Sequence, residues 1–429
     1  MHQRTGCAEY DMLSRRRFLA ASSGAALAAA SAPAWLPRVA LARDYRGAQR
    51  DVLISIYLRG ASDGLSLVPP HADANYYSLR PTLNVPRPGS NAPSRAIDLD
   101  GFFGLAPAMA PLLPAYQDGN LLIVHACGST DTTRSHFEAQ RLMETASSTA
   151  TASTTGWLGR HIQSVQPMDP GALLRAVAID SALPQTLIGA PRTLPIPDLD
   201  AFGLSGYSQS SDQREAVLRQ LYGGSGGGRL AAVASDTLST IDLLDTINFA
   251  GYVPGNAAVY PGSSFGVAMR SAAALIKARV GVEAIAIDVE GWDTHSNQGT
   301  TGGFLASLMT TLAQGLAAFY TDMGAGAAPS YTLVCMSEFG RRAAENGSAG
   351  TDHGRGNAMF VMGGCVRGGR VLADWPGLAP EQLYERLDLD VTIDYRDILA
   401  EILSTRLGNQ NLQSVFPGFT PTTRSILSC

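Results

Sequence analysis

Two histidines stand in dense polar clusters beside apolar runs, and such clusters are where chemistry is done. Gly291-Trp292-Asp293-Thr294-His295 follows the apolar run Ala284 to Ile287, setting a carboxylate and an imidazole on one loop past a strand end. Gly350-Thr351-Asp352-His353-Gly354 leads into a second run at Ala358. Two more carboxylates close strand-like segments: Asp63 in Leu58-Arg59-Gly60-Ala61-Ser62-Asp63-Gly64, and Glu338 in Met336-Ser337-Glu338-Phe339-Gly340-Arg341. Asp63, Asp293, His295, Glu338, Asp352 and His353 form a mixed oxygen and nitrogen donor set. Such a set suits a divalent metal, zinc or manganese. Each alone is equally a helix cap, an Asx turn or a surface charge. Metal chemistry requires that they converge.

A nucleophile candidate lies in the hydroxyl-rich segment Gly128 to Phe137, which opens onto a helical pattern. A hydroxyl at a helix N-terminus has free N–H groups and the positive dipole end beside it. A metal nearby would lower its pKa and activate it. Ser135 is that candidate, with Arg134, Arg59 or Arg355 available to neutralise charge developing on an oxyanion. Ordinary N-capping accounts for the same hydroxyls without chemistry.

The elements that must position these groups are short, continuously apolar runs. They are Val52 to Leu58, Leu121 to Val124, Ala176 to Ile179, Ala284 to Ile287, Tyr331 to Met336 and Ala358 to Met362. Continuous rather than alternating apolarity is the mark of strands buried on both faces of a parallel sheet. Helical patterns lie between them at Phe137 to Ala146, Phe265 to Arg279, Phe304 to Tyr320 and Tyr395 to Leu407. The alternation predicts an α/β fold, a doubly wound, mostly parallel sheet with helices on both faces. In such sheets ligands bind at the edge where strands end. Residues 184 to 261 break the rhythm with Pro-rich turns and the run Gly223 to Gly228, and read as a cap insertion. No Lys-Ser/Thr follows the glycines, so they are a linker and not a phosphate loop.

Residues 1 to 42 read as an export signal rather than as fold. Arg15-Arg16-Arg17-Phe18-Leu19 precedes an Ala-rich apolar stretch, and Ala40-Leu41-Ala42 supplies a small-x-small cleavage site. The paired arginines are of the twin-arginine type, implying the twin-arginine export machinery and a periplasmic or extracellular destination. The stretch is too short and Ala-rich for a stable membrane anchor. Residues 43 to 429 then form a single domain. With 45% apolar and 16% charged residues, a disordered chain and a coiled coil are excluded. The net charge of −5 leaves no broad electrostatic footprint for nucleic acid. Of the cysteines beyond the leader, Cys127 and Cys335 sit in apolar runs as small hydrophobes, and Cys365 and Cys429 could pair after export. No dinucleotide, haem or iron–sulfur motif supports a redox enzyme.

The motifs in this order resemble the family catalogued as domain of unknown function 1501. The resemblance rests on Leu58 to Ser66, Arg134-Ser135-His136-Phe137-Glu138-Ala139-Gln140, Gly291 to His295, Met336 to Arg341, Thr351 to Gly354 and Asp374-Trp375-Pro376-Gly377. It spans about 50 to 425. That family in turn resembles the alkaline phosphatase and sulfatase superfamily, which implies an alkaline phosphatase-like sheet with one or two divalent metals at its strand ends. On this resemblance Asp63 matches the first metal-binding Asp, Ser135 or a neighbouring Thr the nucleophile, and Asp293 with His295 the third element. Thr351-Asp352-His353-Gly354 looks like the Asp-His-Gly motif. Alternatively Glu338-Phe339 fills that position, His353 is the final His, and Phe339 stands where a metal-binding His belongs. The resemblance implies an exported metal-dependent hydrolase acting on a small-molecule phosphate or sulfate ester. The alternative is a non-catalytic metal- or ligand-binding envelope protein.

Overall fold

The structure, a computed structural model, describes residues 51–148, 153–199, 202, 210–222, 228–245, 247, 249, 251–324 and 330–428. The expected leader, residues 1–42, and most of the glycine run lie outside these. The strands are β1 (Val52–Leu58), β2 (Ile97–Asp98), β3 (Gly104–Leu105), β4 (Leu121–Gly128), β5 (Ala176–Ala178), β6 (Thr193–Pro195), β7 (Ala284–Val289), β8 (Tyr331–Ser337), β9 (Asn357–Gly363), β10 (Arg370–Leu372) and β11 (Ile393–Asp394). The longer helices are α1 (His136–Thr145), α2 (Trp157–Ser164), α3 (Ser211–Tyr222), α4 (Gly228–Asp245), α5 (Ser264–Ala278), α6 (Phe304–Met323) and α7 (Tyr395–Glu401).

Nine strands form one mixed, mostly parallel sheet in the order β10-β4-β9-β8-β1-β7-β5-β6, with β11 also paired to β4. β1 runs parallel to both β7 and β8, whereas β9 is antiparallel to both of its neighbours, β8 and β4. Among the described residues β9 is the one reversed strand of this sheet. β2 and β3 form a separate two-stranded ribbon.

Period-two alternation divides the strand side chains between two cores, as a sheet covered on both faces requires. Val52, Ile54, Ile56 and Leu58 of β1 face one core with α5 and α6. Leu53 and Tyr57 face the other, with Trp157 and Leu158 of α2 and Ile398 and Leu399 of α7. The α6 sequence buries Leu305, Met309, Leu312, Leu316, Phe319 and Met323, a stripe at helical spacing. This helix is long and apolar enough to cross a membrane, but that buried stripe makes it a core helix. The Ser263 side chain caps α5 by accepting from Gly266 N–H, and Asp394 does the same for Arg396 at the start of α7.

The segment read as an insertion at 184–261 holds α3 and α4, but it also gives β6 to the sheet, paired parallel with β5. β6 is three residues long and ends in Pro195. A strand so short and without that N–H fits only an edge, and it carries no apolar run to announce it. Cys127 and Cys335 are buried free thiols. Cys365 is disulfide-bonded, and its expected partner, Cys429, lies outside the described residues.

Candidate metal centre

The sheet brings five chain segments to one edge. In register, Leu58 of β1 lies beside Val289 of β7 and Ser337 of β8, so the turns after all three strands begin at one level. β4 is parallel to them and feeds the loop into α1. The reversed direction of β9 puts its beginning at this same edge, and the 350–356 loop arrives there. His353 therefore joins residues that follow strands although it precedes one.

At this edge Asp293 Oδ1 lies 3.0 Å from His295 Nε2, 3.4 Å from His353 Nε2 and 3.6 Å from His136 Nε2. His295 Nε2 and His353 Nε2 are 2.8 Å apart. The ligand atoms of His136, Asp293 and His353 all lie within 4.8 Å of one another, with His295 on the outer side. For comparison, bonds of 2.0–2.1 Å in a tetrahedral site imply ligand–ligand edges of about 3.3 Å. His136 and Asp293 are buried, whereas the His295 side chain is 27% exposed, so the cluster meets solvent on that side.

Each imidazole is held through its other nitrogen. His136 Nδ1 is 2.8 Å from Glu338 Oε1, His353 Nδ1 is 2.8 Å from the Arg134 carbonyl, and His295 Nδ1 is 3.3 Å from Asp352 Oδ1. All three partners are pure acceptors, so each neutral ring must carry its proton on Nδ1. The Nε2 lone pairs then point at one another and at a carboxylate oxygen. Four acceptors facing inward repel unless a cation or shared protons sit among them. Outer acceptors that fix the tautomer are the usual companions of metal-bound histidine. By donor type, spacing and tautomer, the residues fit a divalent ion.

Where shared protons rather than a cation fill this space, Nε2–H groups donate to Asp293. Burial alone would raise the Asp293 pKa, but the three imidazoles and the Arg341 guanidinium hold it far below the carboxylate range. Arg341 Nη2 donates to Asp293 Oδ1 at 2.8 Å, and the same side chain binds the Ala61, Trp292 and Thr351 carbonyls. Glu338 is also pushed up by burial, and the bonds from His136 and Gln140 bring it down to about 2.

The expected site residues are thus divided. Asp293, His295 and His353 come together. Glu338 and Asp352 stand one layer out, each against a ring nitrogen. Asp63 is elsewhere: its Oδ2 accepts from Arg80 Nη1 at 2.6 Å, Ser66 Oγ at 2.6 Å and Gln298 Nε2 at 2.7 Å. Gln298 Oε1 accepts from Thr294 and Thr351, so Asp63 braces the two histidine loops from behind. Ser135 is the N-cap residue of α1, next to His136. Arg134 contributes its carbonyl, while its guanidinium binds Asp388 and Glu385. Arg59 is taken up by Glu144 and Asp288.

His136 is the cluster member the sequence reading passed over. It opens α1, directly after the hydroxyls that drew attention to Ser135. Its signal was position: a histidine beginning a helix after a strand that ends at the shared edge. Phe339, in the place of an expected histidine, lies against the His136 and His353 rings at centroid distances of 5.2 and 5.0 Å.

Fold and cluster together define an α/β protein with a mostly parallel sheet and a histidine–carboxylate centre at its strand-end edge. The chain belongs to the family described as protein of unknown function (DUF1501), whose family model matches residues 50–415. No curated protein matches it.

Proposed function

We propose that this protein is an exported metal-dependent hydrolase acting on phosphate or sulfate esters, with one divalent ion held by His136, Asp293 and His353 and reached by His295. The observation that carries the reading is the set of inward-facing Nε2 atoms whose Nδ1 atoms are fixed by Glu338, Arg134 and Asp352. A zinc or manganese ion would act there as a Lewis acid on a phosphoryl or sulfuryl oxygen. The chain's own part is to orient the rings and to leave the His295 side open. The finer reading of the fold is the doubly wound, alkaline phosphatase-like one, and Ser135 is the candidate nucleophile. The twin-arginine leader would deliver the domain already folded.

A second reading, a metal-binding envelope protein without turnover, is favoured by one feature. Phe339 and the Arg80-bound Asp63 leave donors for a single ion, where two-ion ester hydrolysis needs more. Metal analysis of the purified mature protein tests both readings at once. A panel of phosphomonoester, phosphodiester and sulfate ester substrates then separates them: turnover by the metal-loaded protein supports the hydrolase, and stoichiometric metal without turnover supports the binding protein. Replacing Arg15 and Arg16 together with Lys is expected to hold the protein in the cytoplasm, and normal export of that variant refutes the leader assignment.

A further inference from the structure

Beside the cluster lies a small cavity of about 10 Å³, lined by Ser129, Asp131, Thr133, Glu338, Phe339 and Arg355. That space holds roughly one water molecule or one oxygen atom. Its walls are rich in unspent donors. Ser129 Oγ accepts from Asp131 N–H and Thr133 Oγ1 accepts from Ser135 N–H, which leaves each hydroxyl its proton to give. The Arg355 side chain is only 7% exposed, and its buried Nε has no hydrogen-bond partner. Its other nitrogens bind Asp390 Oδ1 at 3.0 Å and the Thr130 carbonyl at 3.2 Å, and the guanidinium lies over the Tyr384 ring. Two carboxylates share the lining. Asp131 accepts from Thr133 N–H, and Glu338 accepts from His136, Gln140 and Gly60.

We propose that this slot is an oxyanion subsite of the metal centre, in which Arg355, Ser129 and Thr133 hold one oxygen of a tetrahedral phosphoryl or sulfuryl group. The inference rests on the hydrolase reading and selects among its arginines. Arg59 spends its donors on Glu144, Asp288 and Gln140, and Arg134 spends its own on Asp388 and Glu385. Arg355 alone of these three has a buried donor left over beside the cluster. Because the slot takes one oxygen, it reads the charged group and leaves the rest of the ester outside, so selectivity between phosphate and sulfate would be set here.

The test is calorimetric titration of inorganic phosphate, and separately of sulfate, into metal-loaded protein. Wild type is expected to bind one anion, and the tighter of the two names the ester class. Arg355→Gln removes a charge-assisted hydrogen bond and is expected to weaken binding roughly ten- to a hundredfold with metal content unchanged. Arg355→Lys should recover only part of it, since an ammonium cannot reproduce the fork. Thr133→Val, nearly isosteric, should cost several-fold and keeps the test alive if the arginine variants fold poorly. Equal anion affinity in wild type and all variants, or no anion binding by metal-loaded wild type, overturns the subsite. A protein that binds no metal defeats the hydrolase reading instead, and metal analysis detects that before any anion is added.

Discussion

Replacing Glu338 with Gln tests whether the carboxylate behind His136 serves a metal. Glu338 Oε1 accepts from His136 Nδ1 at 2.8 Å, Gly60 N–H at 2.9 Å and Gln140 Nε2 at 3.0 Å, while Oε2 lies 2.9 Å from Ser337 Oγ. A glutamine carbonyl can occupy the Oε1 position and receive the same three donors. Its NH2 can donate to Ser337 Oγ, whose proton already goes to the Leu58 carbonyl. Shape and hydrogen bonds therefore survive, and what is lost is the negative charge that makes His136 a stronger donor. Both side chains are fully buried, so solvent does not screen that loss. Outer-layer changes of this kind cost roughly 10–100-fold in metal affinity, or about 1.4–2.7 kcal/mol. Competition with a chromophoric chelator at neutral pH measures it, with far-UV circular dichroism verifying the fold. A Glu338→Gln protein that binds metal like wild type refutes this role for the carboxylate.

Asp63→Asn should reduce stability by about 3–5 kcal/mol, read by urea denaturation, because it leaves the fully buried Arg80 without its counter-charge. Gly60→Ala should weaken metal binding and lower the melting temperature. Gly60 has φ +113°, and a Cβ there would lie 2.6 Å from Asp293 N, so backbone strain of roughly 1–3 kcal/mol acts on the loop that carries the cluster. Acid should destabilise the fold before carboxylates titrate. Burial depresses His125 to about 4. Between the unfolded value near 6.5 and that folded value the unfolded chain holds the extra proton, so stability falls as pH drops, by about 3 kcal/mol at pH 4. Urea midpoints at pH 7 and pH 4 measure the drop, and His125→Phe should be weaker at pH 7 but flatter with pH; an equally steep variant contradicts the assignment.

The central strands were legible because burial on both faces leaves an unbroken apolar run, and β1, β4, β7, β8 and β9 each carry one. β6, β10 and β11 have two or three residues and were not, since edge pairing is decided by what the neighbouring strand offers. Strand direction was also hidden: an apolar run looks the same either way, so nothing in Ala358 to Met362 disclosed that β9 is reversed. That reversal is what seats His353 beside Asp293. Asp63 and His136 were misjudged for a related reason. A sequence displays donors but not which neighbours claim them, and Arg80 approaches Asp63 only once the fold has formed.

The allocation of carboxylates bears most directly on the proposed metal site. Glu338 and Asp352 stand one layer away, against His136 and His295, and Asp63 lies on Arg80 behind the histidine loops. Only Asp293 enters the ring of imidazoles. With three neutral rings the inner set carries one negative charge, and a divalent ion would leave the centre net positive. A net positive centre favours an anion, which the donors on Arg355, Ser129 and Thr133 are arranged to receive. Setting Glu338 and Asp352 one layer back fixes the His136 and His295 ring orientations and leaves the inner positions to neutral rings and one carboxylate.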